Sequence, residues 1–376
     1  MKILYVLNDT LRRGGTESVI LNYFDHTDRD KIQIDFVLNA AKSELSENDI
    51  CKYLLDKGAK VFCIAPRRED PKANKSEFLK ILNDEHYDIV HTHTDAVGSY
   101  FLKLAKEAGV KIRIAHSHNT GHQLINKGLK NRVHFAYLEK CRKEIRKEAT
   151  HYIACSKAAG EWLFGEENVK TGKVRILNNA IDTKKFSFDE NTRSEIRKNL
   201  NVDENMFILG HVGRMMPQKN HEFLVEIFKE VHEKRENSKL LLVGDGDLRF
   251  AIEKKCKELG IFEDVIFYGT TDDISKLYNA MDVFVFPSLF EGLGMVMIEA
   301  QCNGLRCYLT DSDEVSKESI ITNRVETMPL GNANEWAQKI LETDFERKDV
   351  TEEIINRGYD IETESIKLTE YYLAIG

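Results

Sequence analysis

The chain has 376 residues, 42% of them hydrophobic, which is enough apolar material for about two domain cores. No apolar run approaches the roughly 20 residues that span a bilayer, and the first residues lead into a strand pattern rather than a signal peptide, so we expect a cytoplasmic protein. Residues 1–185 carry 32 basic and 25 acidic side chains, whereas the remainder carries 22 and 37. The acidic half argues against a nucleic-acid-binding protein, and the basic half fits an anionic partner such as a membrane surface.

The first half alternates apolar strands with helical patterns, beginning with a strand over residues 2–8. Gly14 and Gly15 precede a predicted helix at 16–24, an order that favours an anion site, although a plain tight turn explains the pair equally well. Together the strands predict a doubly wound parallel sheet. Further strands are predicted at 33–38, 60–64, 89–93, 112–115 and 152–154.

Histidines gather where two of these strands end, His91 and His93 in DIVHTHT and His116 and His118 in IAHSHNT. The carboxyl ends of parallel strands are where α/β proteins build their sites. We expect no metal ion there, because the two loops should hold the pairs apart and no Asp or Glu joins them in ligand spacing.

A basic stretch over residues 127–147 mixes eight Lys and Arg residues with two Glu and several apolar residues. The pattern is typical of a solvated helix face whose apolar stripe packs on the domain. It also fits an interfacial helix that contacts anionic lipid, and the two interpretations are compatible. The basic residues are Lys127, Lys130, Arg132, Lys140, Arg142, Lys143, Arg146 and Lys147.

The second half opens with a strand that ends at Gly213, followed by a loop with Arg214 and Lys219 and then a helix. Two cations beside a strand end suit the negative charge of a diphosphate, including the charge that develops when it departs. Two more patterns of a strand and a glycine turn follow, at 239–249 and 265–273.

The most informative stretch is 283–304, which reads as a buried strand, a glycine loop and a helix from Met295. The free N–H groups at the helix start, near Gly294, Met295 and Val296, favour an anion. Two carboxylates frame this position. Glu299 lies in an otherwise apolar helix and could bind a vicinal diol such as a ribose, although a solvated glutamate is the simpler alternative for both.

Glu291 and Glu299, separated by seven residues in EGLGMVMIEA, resemble the paired glutamates of the retaining family-4 glycosyltransferases of the GT-B fold. The likeness covers nearly the whole chain and is closest to exopolysaccharide and capsule enzymes. It implies an α/β protein of two facing Rossmann-like domains: 1–185 for the acceptor, 186–360 for the nucleotide sugar, and a helix at 361–376 that returns to the first domain. Arg306 departs from the family, which commonly has proline there.

The same resemblance assigns roles to the residues. Arg214 and Lys219 would stabilise the leaving diphosphate, and Glu291 would lie by the donor sugar. RIAHSHNT resembles the segment with the family's active-site histidine, which makes His118 that residue and His116 the alternative. The donor-binding set, with the glycine pair included, is Gly14, Gly15, Arg214, Lys219, Tyr268, Gly269, Thr270, Glu291, Gly294, Met295, Val296 and Glu299.

The resemblance therefore implies a retaining hexosyltransferase that uses a nucleotide-sugar donor, expected to be a UDP-sugar, and a lipid-linked or polysaccharide acceptor. No metal or other cofactor is expected, because the two cations replace a metal, and the protein could contact the inner face of the cell membrane through 127–147. A sugar-nucleotide epimerase of the same fold is one alternative and would need no acceptor. A non-catalytic binding subunit is another and would show no turnover.

Overall fold

The computed structural model describes residues 1–7, 11, 15–119, 129–271 and 273–376. The strands are β1 Lys2–Leu7, β2 Gln33–Leu38, β3 Val61–Cys63, β4 Ile89–Thr92, β5 Ile112–Ser117, β6 His151–Ala154, β7 Val174–Ile176, β8 Phe207–Val212, β9 Ser238–Val243, β10 Val265–Gly269, β11 Val283–Phe286, β12 Arg306–Thr310 and β13 Val325–Met328. The α-helices are α1 Gly15–His26, α2 Glu44–Glu47, α3 Asp49–Asp56, α4 Pro71–Glu85, α5 Ser99–Glu107, α6 Leu129–Glu148, α7 Lys157–Phe164, α8 Glu166–Lys170, α9 Thr183–Phe186, α10 Glu190–Asn199, α11 His221–Lys234, α12 Arg249–Glu258, α13 Ser275–Ala280, α14 Met295–Cys302, α15 Ala333–Leu341, α16 Thr351–Asn356 and α17 Ile361–Ile375.

The chain forms two compact units. The first contains Met1–Ala180 together with Ile361–Gly376, and the second contains Ile181–Asp360. The first division thus lies five residues before the 185/186 boundary expected from the sequence, and the second lies at 360/361. Among the described residues, no helix has both the length and the apolar character needed to cross a membrane.

The sheet of the first unit has the order β3-β2-β1-β4-β5-β6-β7, and its paired strands are all parallel. Its central strand β1 is almost wholly buried because helices cover both faces. Successive side chains alternate between those faces, so Leu4 packs with Phe78 and Leu102 from α4 and α5, while Tyr5 packs with Leu368 from α17. This is the doubly wound sheet that the alternation predicted.

The last helix, α17, belongs to the core of the first unit. Leu368 and Tyr372 are buried there. The Tyr372 hydroxyl lies 2.8 Å from the Tyr5 hydroxyl and 2.7 Å from His91 Nδ1, which ties the helix to the middle of the sheet.

The second unit has a parallel sheet of order β10-β9-β8-β11-β12-β13. Helices α11, α12 and α15 cover one face, with Phe228 and Trp336 in that core, and α13 and α14 cover the other through Tyr278 and Met297. Since β8 and β11 are neighbours at the centre of the sheet, the loops that follow them emerge side by side. Those loops, together with α14 after the second of them, carry seven of the twelve predicted donor residues.

Candidate functional site

Arg214 lies in the loop after β8, which is pressed against the loop after β9. A Cβ added to Gly244, whose φ is +129°, would lie 2.3 Å from the Gly213 carbonyl oxygen, so only glycine allows this approach. The Met215 N–H donates to the Asp245 carbonyl at 3.0 Å and holds the two loops together. Arg214 is exposed and forms no ion pair with a described residue, which leaves its guanidinium available to an anion.

Lys219 and Glu291 form an ion pair, and the side chains of both are only 15% exposed. The Lys219 ammonium also lies 4.5 Å from the centre of the Phe286 ring. The paired loops are joined by hydrogen bonds from the Leu289 N–H to the Gln218 carbonyl, at 2.8 Å, and from Gln218 Nε2 to the carbonyl of the residue after Leu289, at 3.0 Å. The structure thus brings together the predicted diphosphate cation and the predicted sugar carboxylate.

The backbone of Glu291 is held by two further hydrogen bonds. Its N–H donates to the Glu314 carbonyl at 2.9 Å, and its carbonyl accepts from the Ser316 N–H at 3.0 Å. The loop closes at Gly294, which adopts a φ of +62° immediately before α14. As the first residues of that helix, Met295 and Val296 have no carbonyl one turn earlier within it, so their N–H groups can face an anion.

Glu299 lies one turn into α14 and accepts a 2.7 Å hydrogen bond from the Tyr278 hydroxyl. Burial raises the pKa of the Glu299 carboxyl to about 7, and the Tyr278 bond and the charge of Lys185 partly oppose this. Lys185 is itself paired with Asp273 at 3.3 Å. Glu299 is therefore a carboxyl group in a poorly solvated setting with one oxygen already engaged, the kind of group that gains from hydroxyl donors on a ligand.

Tyr268, Gly269 and Thr270 lie at the end of β10. Tyr268 is 42% exposed and Thr270 is also exposed, while Gly269 has a φ of +82°. The Gly269 carbonyl accepts a 2.8 Å hydrogen bond from the Gly244 N–H, so it supports the β9 loop. Contacts between this edge and a nucleotide base stay a prediction.

In the first unit, His118 follows the end of β5 and is partly exposed. Its N–H donates to Asp95 Oδ1 at 2.8 Å, and its Nε2 lies 3.0 Å from His93 Nδ1. Asp95 has a strained φ of +46° in a 3₁₀ turn. Burial lowers the pKa of His118 to about 3, so the imidazole is neutral. His116, the alternative, is buried.

His118 lines a pocket of about 180 Å³ together with Thr16 and Glu17 from the first turn of α1. Gly15 begins that helix. The structure therefore brings the predicted helix start and the predicted active-site histidine into the same pocket of the first unit. Gly14 lies outside the described residues.

The expectation that the loops would keep the two histidine pairs apart was wrong. The His91 and His116 rings are stacked with their centres 5.3 Å apart, and His93 and His116 are 5.1 Å apart. The reason is that β4 and β5 are adjacent strands, and alternate residues of each strand point to the same face of the sheet.

The basic stretch forms most of α6. Lys143 and Lys147 are exposed, whereas Arg146 is partly buried and donates from Nε to the Leu163 carbonyl at 3.0 Å. Lys140 and Arg142 pair with glutamates of the same helix, at 3.7 and 3.2 Å. The side chains of Lys127, Lys130 and Arg132 lie outside the described residues.

The structure adds three residues that the sequence did not single out. Tyr278 and Lys185 act on Glu299, and Asp95 accepts a hydrogen bond from His118. Tyr278 and Lys185 are distant in the chain from Glu299, and nothing in their local patterns marks them. Asp95 carried a usable signal, because an Asp in the loop that follows a strand can support a neighbouring loop.

Two family descriptions match the chain: Glycosyltransferase Family 4 over residues 13–185, and Glycosyl transferases group 1 over residues 192–354. The chain is 30% identical over 374 residues to the Bacillus subtilis protein EpsF, covering 96% of this chain and 93% of that one.

Two further relatives match over shorter lengths. Identity is 30% to an Escherichia coli UDP-Gal:alpha-D-GlcNAc-diphosphoundecaprenol alpha-1,3-galactosyltransferase, over 62% of this chain and 60% of that one. It is 34% to the Staphylococcus aureus capsular polysaccharide biosynthesis glycosyltransferase CapM, over 41% of each.

Among solved structures, the complex of Anabaena HepE with UDP aligns over the full length of both chains, with a TM-score of 0.76 at 19% identity. This likeness is evidence about the fold alone. The two parallel sheets described above are consistent with it. With a full-length relative and two family matches that together span most of the sequence, this chain belongs to the family-4 glycosyltransferases of the GT-B fold.

Proposed function

We propose that this glycosyltransferase moves a hexose or related sugar, with retention of configuration, from a UDP-sugar to a lipid-linked or polysaccharide acceptor in exopolysaccharide or capsule synthesis. The observation that carries the proposal is the Lys219–Glu291 ion pair at the carboxyl ends of β8 and β11. The names of the relatives support the acceptor class, since one acts on a diphosphoundecaprenol-linked sugar and another in capsular polysaccharide biosynthesis. HepE supports UDP as the nucleotide.

The site can act on a diphosphate without a metal at that position. A diphosphate that binds between the α14 start and the β8 loop would meet the Arg214 guanidinium and draw the Lys219 ammonium from Glu291. Glu291 would then be free to accept hydrogen bonds from sugar hydroxyls. As the sugar leaves, both cations stabilise the growing negative charge, so we propose that the transfer is metal-independent.

A donor screen followed by product analysis tests this proposal. Nucleotide sugars are first ranked by the rise in melting temperature that each produces, and the best donor is incubated with a lipid-linked disaccharide. We expect a longer glycan whose new anomeric carbon has the donor's configuration by NMR, formed equally with and without added magnesium or manganese. A product of opposite configuration, or strict dependence on added metal, would contradict the retaining or the metal-independent part.

The same assay separates the two alternatives. An epimerase would convert the donor in the absence of any acceptor. A non-catalytic subunit would bind the donor and consume none of it.

We further propose that α6 brings the protein to the anionic inner face of the cell membrane. Residues 133–137, VHFAY, are all exposed, with Val133 67%, Phe135 45% and Tyr137 37% exposed. Exposed apolar residues beside Lys143 and Lys147 are the combination that a lipid surface attracts. A lipid-linked acceptor would be met at that surface.

A further inference from the structure

The first unit contains a group of four imidazoles, and only one of them, His118 or its alternative His116, is predicted to act in the sugar transfer. His91, His93, His116 and His118 lie on one face of the sheet, where β4 and β5 end. Tyr5, the partner of His91 in the β1–β4 register, lies on the same face. Suitable nitrogen atoms of His91, His93 and His116 all lie within 4.8 Å of one another.

Most of the ring nitrogens in this histidine cluster are unsatisfied. Five of them are buried without a hydrogen-bond partner among the described residues: His91 Nε2, His93 Nε2, both nitrogens of His116, and His118 Nδ1. Buried polar atoms are rarely left in this state, since they have lost water and gained nothing in return. A ligand that accepts several nitrogen lone pairs at once would satisfy them.

The hydrogen bonds of His91 and His93 engage Nδ1 and leave Nε2 open on both rings. His91 Nδ1 lies 2.7 Å from the Tyr372 hydroxyl, which lies 2.8 Å from the Tyr5 hydroxyl, and His93 Nδ1 lies 3.0 Å from His118 Nε2. Each Nδ1 can donate its proton to that neighbour, which places the free lone pair on Nε2. Metal-bound histidines are oriented in the same way, with one ring nitrogen hydrogen-bonded and the other on the ion.

We propose that His91, His93 and His116 bind a transition-metal ion of the Zn²⁺ class, with water in the fourth position. Zinc–nitrogen bonds of about 2.0–2.1 Å need ligand atoms roughly 3.4 Å apart. The rings of His91 and His93 are now stacked, with their centres 4.2 Å apart, so the imidazoles would have to turn toward the ion as it binds. Three neutral nitrogen ligands do not suit Mg²⁺ or Ca²⁺, because these ions bind mainly to oxygen atoms.

One of the three proposed ligands also borders a cavity. His93 lines the pocket that also contains His118 and Asp95.

The ion would have a structural role. Through Tyr372 it would join β4 and β5 to α17, and through His93 it would hold His118, which makes His93 a positioning residue. It lies in the first unit, whereas Arg214, Lys219, Glu291 and Glu299 of the proposed donor site belong to the second. Failure of one proposal therefore does not imply failure of the other.

The test uses the full chain with its purification tag removed, stripped with a strong chelator and titrated with ZnCl₂ in competition with a colorimetric indicator. We expect about one zinc ion per chain, a higher melting temperature with zinc, and a tetrahedral visible spectrum with Co²⁺. Stoichiometry near zero in the folded wild type, or an octahedral Co²⁺ spectrum, would overturn the proposal in favour of water-bridged histidines.

Variants assign the ligands. His91→Gln and His116→Gln should each weaken zinc binding by more than about a hundredfold, and Tyr372→Phe by about tenfold to a hundredfold. His221→Gln is the matched control, because His221 is a buried histidine of the second unit whose ring nitrogens also have no partner among the described residues. The His221→Gln variant should leave zinc affinity unchanged.

Circular dichroism establishes that each variant is folded. If the His116 variant does not fold, Tyr372→Phe and the wild-type titration still decide the outcome. Unchanged zinc affinity in folded ligand variants would also overturn the assignment. UDP affinity, measured in parallel on every variant, reports separately on the donor site.

Discussion

At the scale of single residues, the proposed diphosphate site depends on two cations held differently. Lys219 is partly buried and paired with Glu291, whereas Arg214 is exposed in the loop after β8. A ligand must therefore compete with a carboxylate for Lys219, while Arg214 is available at once. This difference predicts that Arg214 governs initial capture and that both residues act on the leaving group.

Arg214→Ala and Lys219→Ala should each lower kcat by about a hundredfold, because loss of one preorganised contact to a developing negative charge costs about 3 kcal/mol. Steady-state kinetics with saturating donor measure this, and melting curves should show that both variants are folded. Lys254→Ala, which removes an exposed lysine on α12, is the control and should behave as wild type. Near-normal turnover of either site variant would show that this residue does not stabilise the leaving diphosphate.

Glu299 makes the affinity for nucleotide depend on pH. Its pKa rises from an ordinary 4.5 to about 7, so the folded chain holds this proton more tightly than the unfolded chain does. The resulting contribution to stability is full below pH 4.5 and is lost as the pH rises through about 7. Ribose hydroxyls need the ionised form as acceptor, so nucleotide affinity should change in the opposite direction.

Calorimetry with UDP-glucose should show affinity rising about tenfold between about pH 6 and pH 8, as the ionised fraction rises around a pKa near 7. UDP-glucose is preferred to UDP because it has no terminal phosphate titrating near pH 6. Glu299→Gln should bind about 1.5–3 kcal/mol more weakly and without this pH dependence. Equal pH slopes in the two proteins would place Glu299 outside the site.

Glu291→Gln should not weaken UDP binding, because the substitution frees Lys219 from its ion pair.

At the scale of elements, the loops after β8 and β9 support one another through glycine. Gly244→Ala should lower stability and UDP affinity together, because the new Cβ would meet the backbone carbonyl of Gly213. Gly260→Ala is the matched control: its φ is also positive, at +73°, but a Cβ there meets nothing within 4 Å, so only the backbone cost of about 1–2 kcal/mol applies. Thermal unfolding and UDP titration compare them, and equal losses would contradict the close-packing argument.

Helix α6 should confer salt-sensitive binding to anionic liposomes and none to neutral ones, because each Lys or Arg near such a surface contributes about 1 kcal/mol. Reversal of Lys140, Arg142, Lys143 and Lys147 to Glu should abolish sedimentation with the liposomes and spare transfer to a soluble acceptor analogue. Lys140 and Arg142 are paired within the helix, so reversing Lys143 and Lys147 alone should remove most of the effect. If the wild-type protein does not sediment with anionic liposomes at low salt, α6 is a solvated helix face only.

At the scale of the whole molecule, the C-terminal helix completes a domain that begins at the other end of the chain. Leu368→Ala should destabilise the first unit by about 2–5 kcal/mol, because Leu368 is 1% exposed in its core. Ile366→Ala, on the same helix but 60% exposed, should cost little. UDP binding to the second unit should persist in both. Chemical unfolding followed by UDP titration measures both effects, and loss of UDP binding in the Leu368 variant would show that the units do not fold independently.

Several strands could be placed from local pattern because they are buried on both faces and read as unbroken apolar runs, as in β1 and β11. The local sequence pattern did not predict strands β7, β12 and β13. Val325–Met328 is only half-buried and includes Glu and Thr, and Arg306–Thr310 starts with a charge, so neither has a continuous apolar signal. Pairing with a neighbour decided that these segments are strands.

By itself, the sequence determined that the chain forms two α/β units, that cations and carboxylates follow particular strands, and that Glu291 and Glu299 are one loop and one helical turn apart. Those properties depend on residues close together in the chain. Tertiary structure alone decided that Lys219 pairs with Glu291, that Tyr278 binds Glu299, and that two histidine pairs form one cluster. The reason is that strand order brings distant segments to one sheet edge, and burial there sets the pKa values and the unsatisfied atoms that no local pattern records.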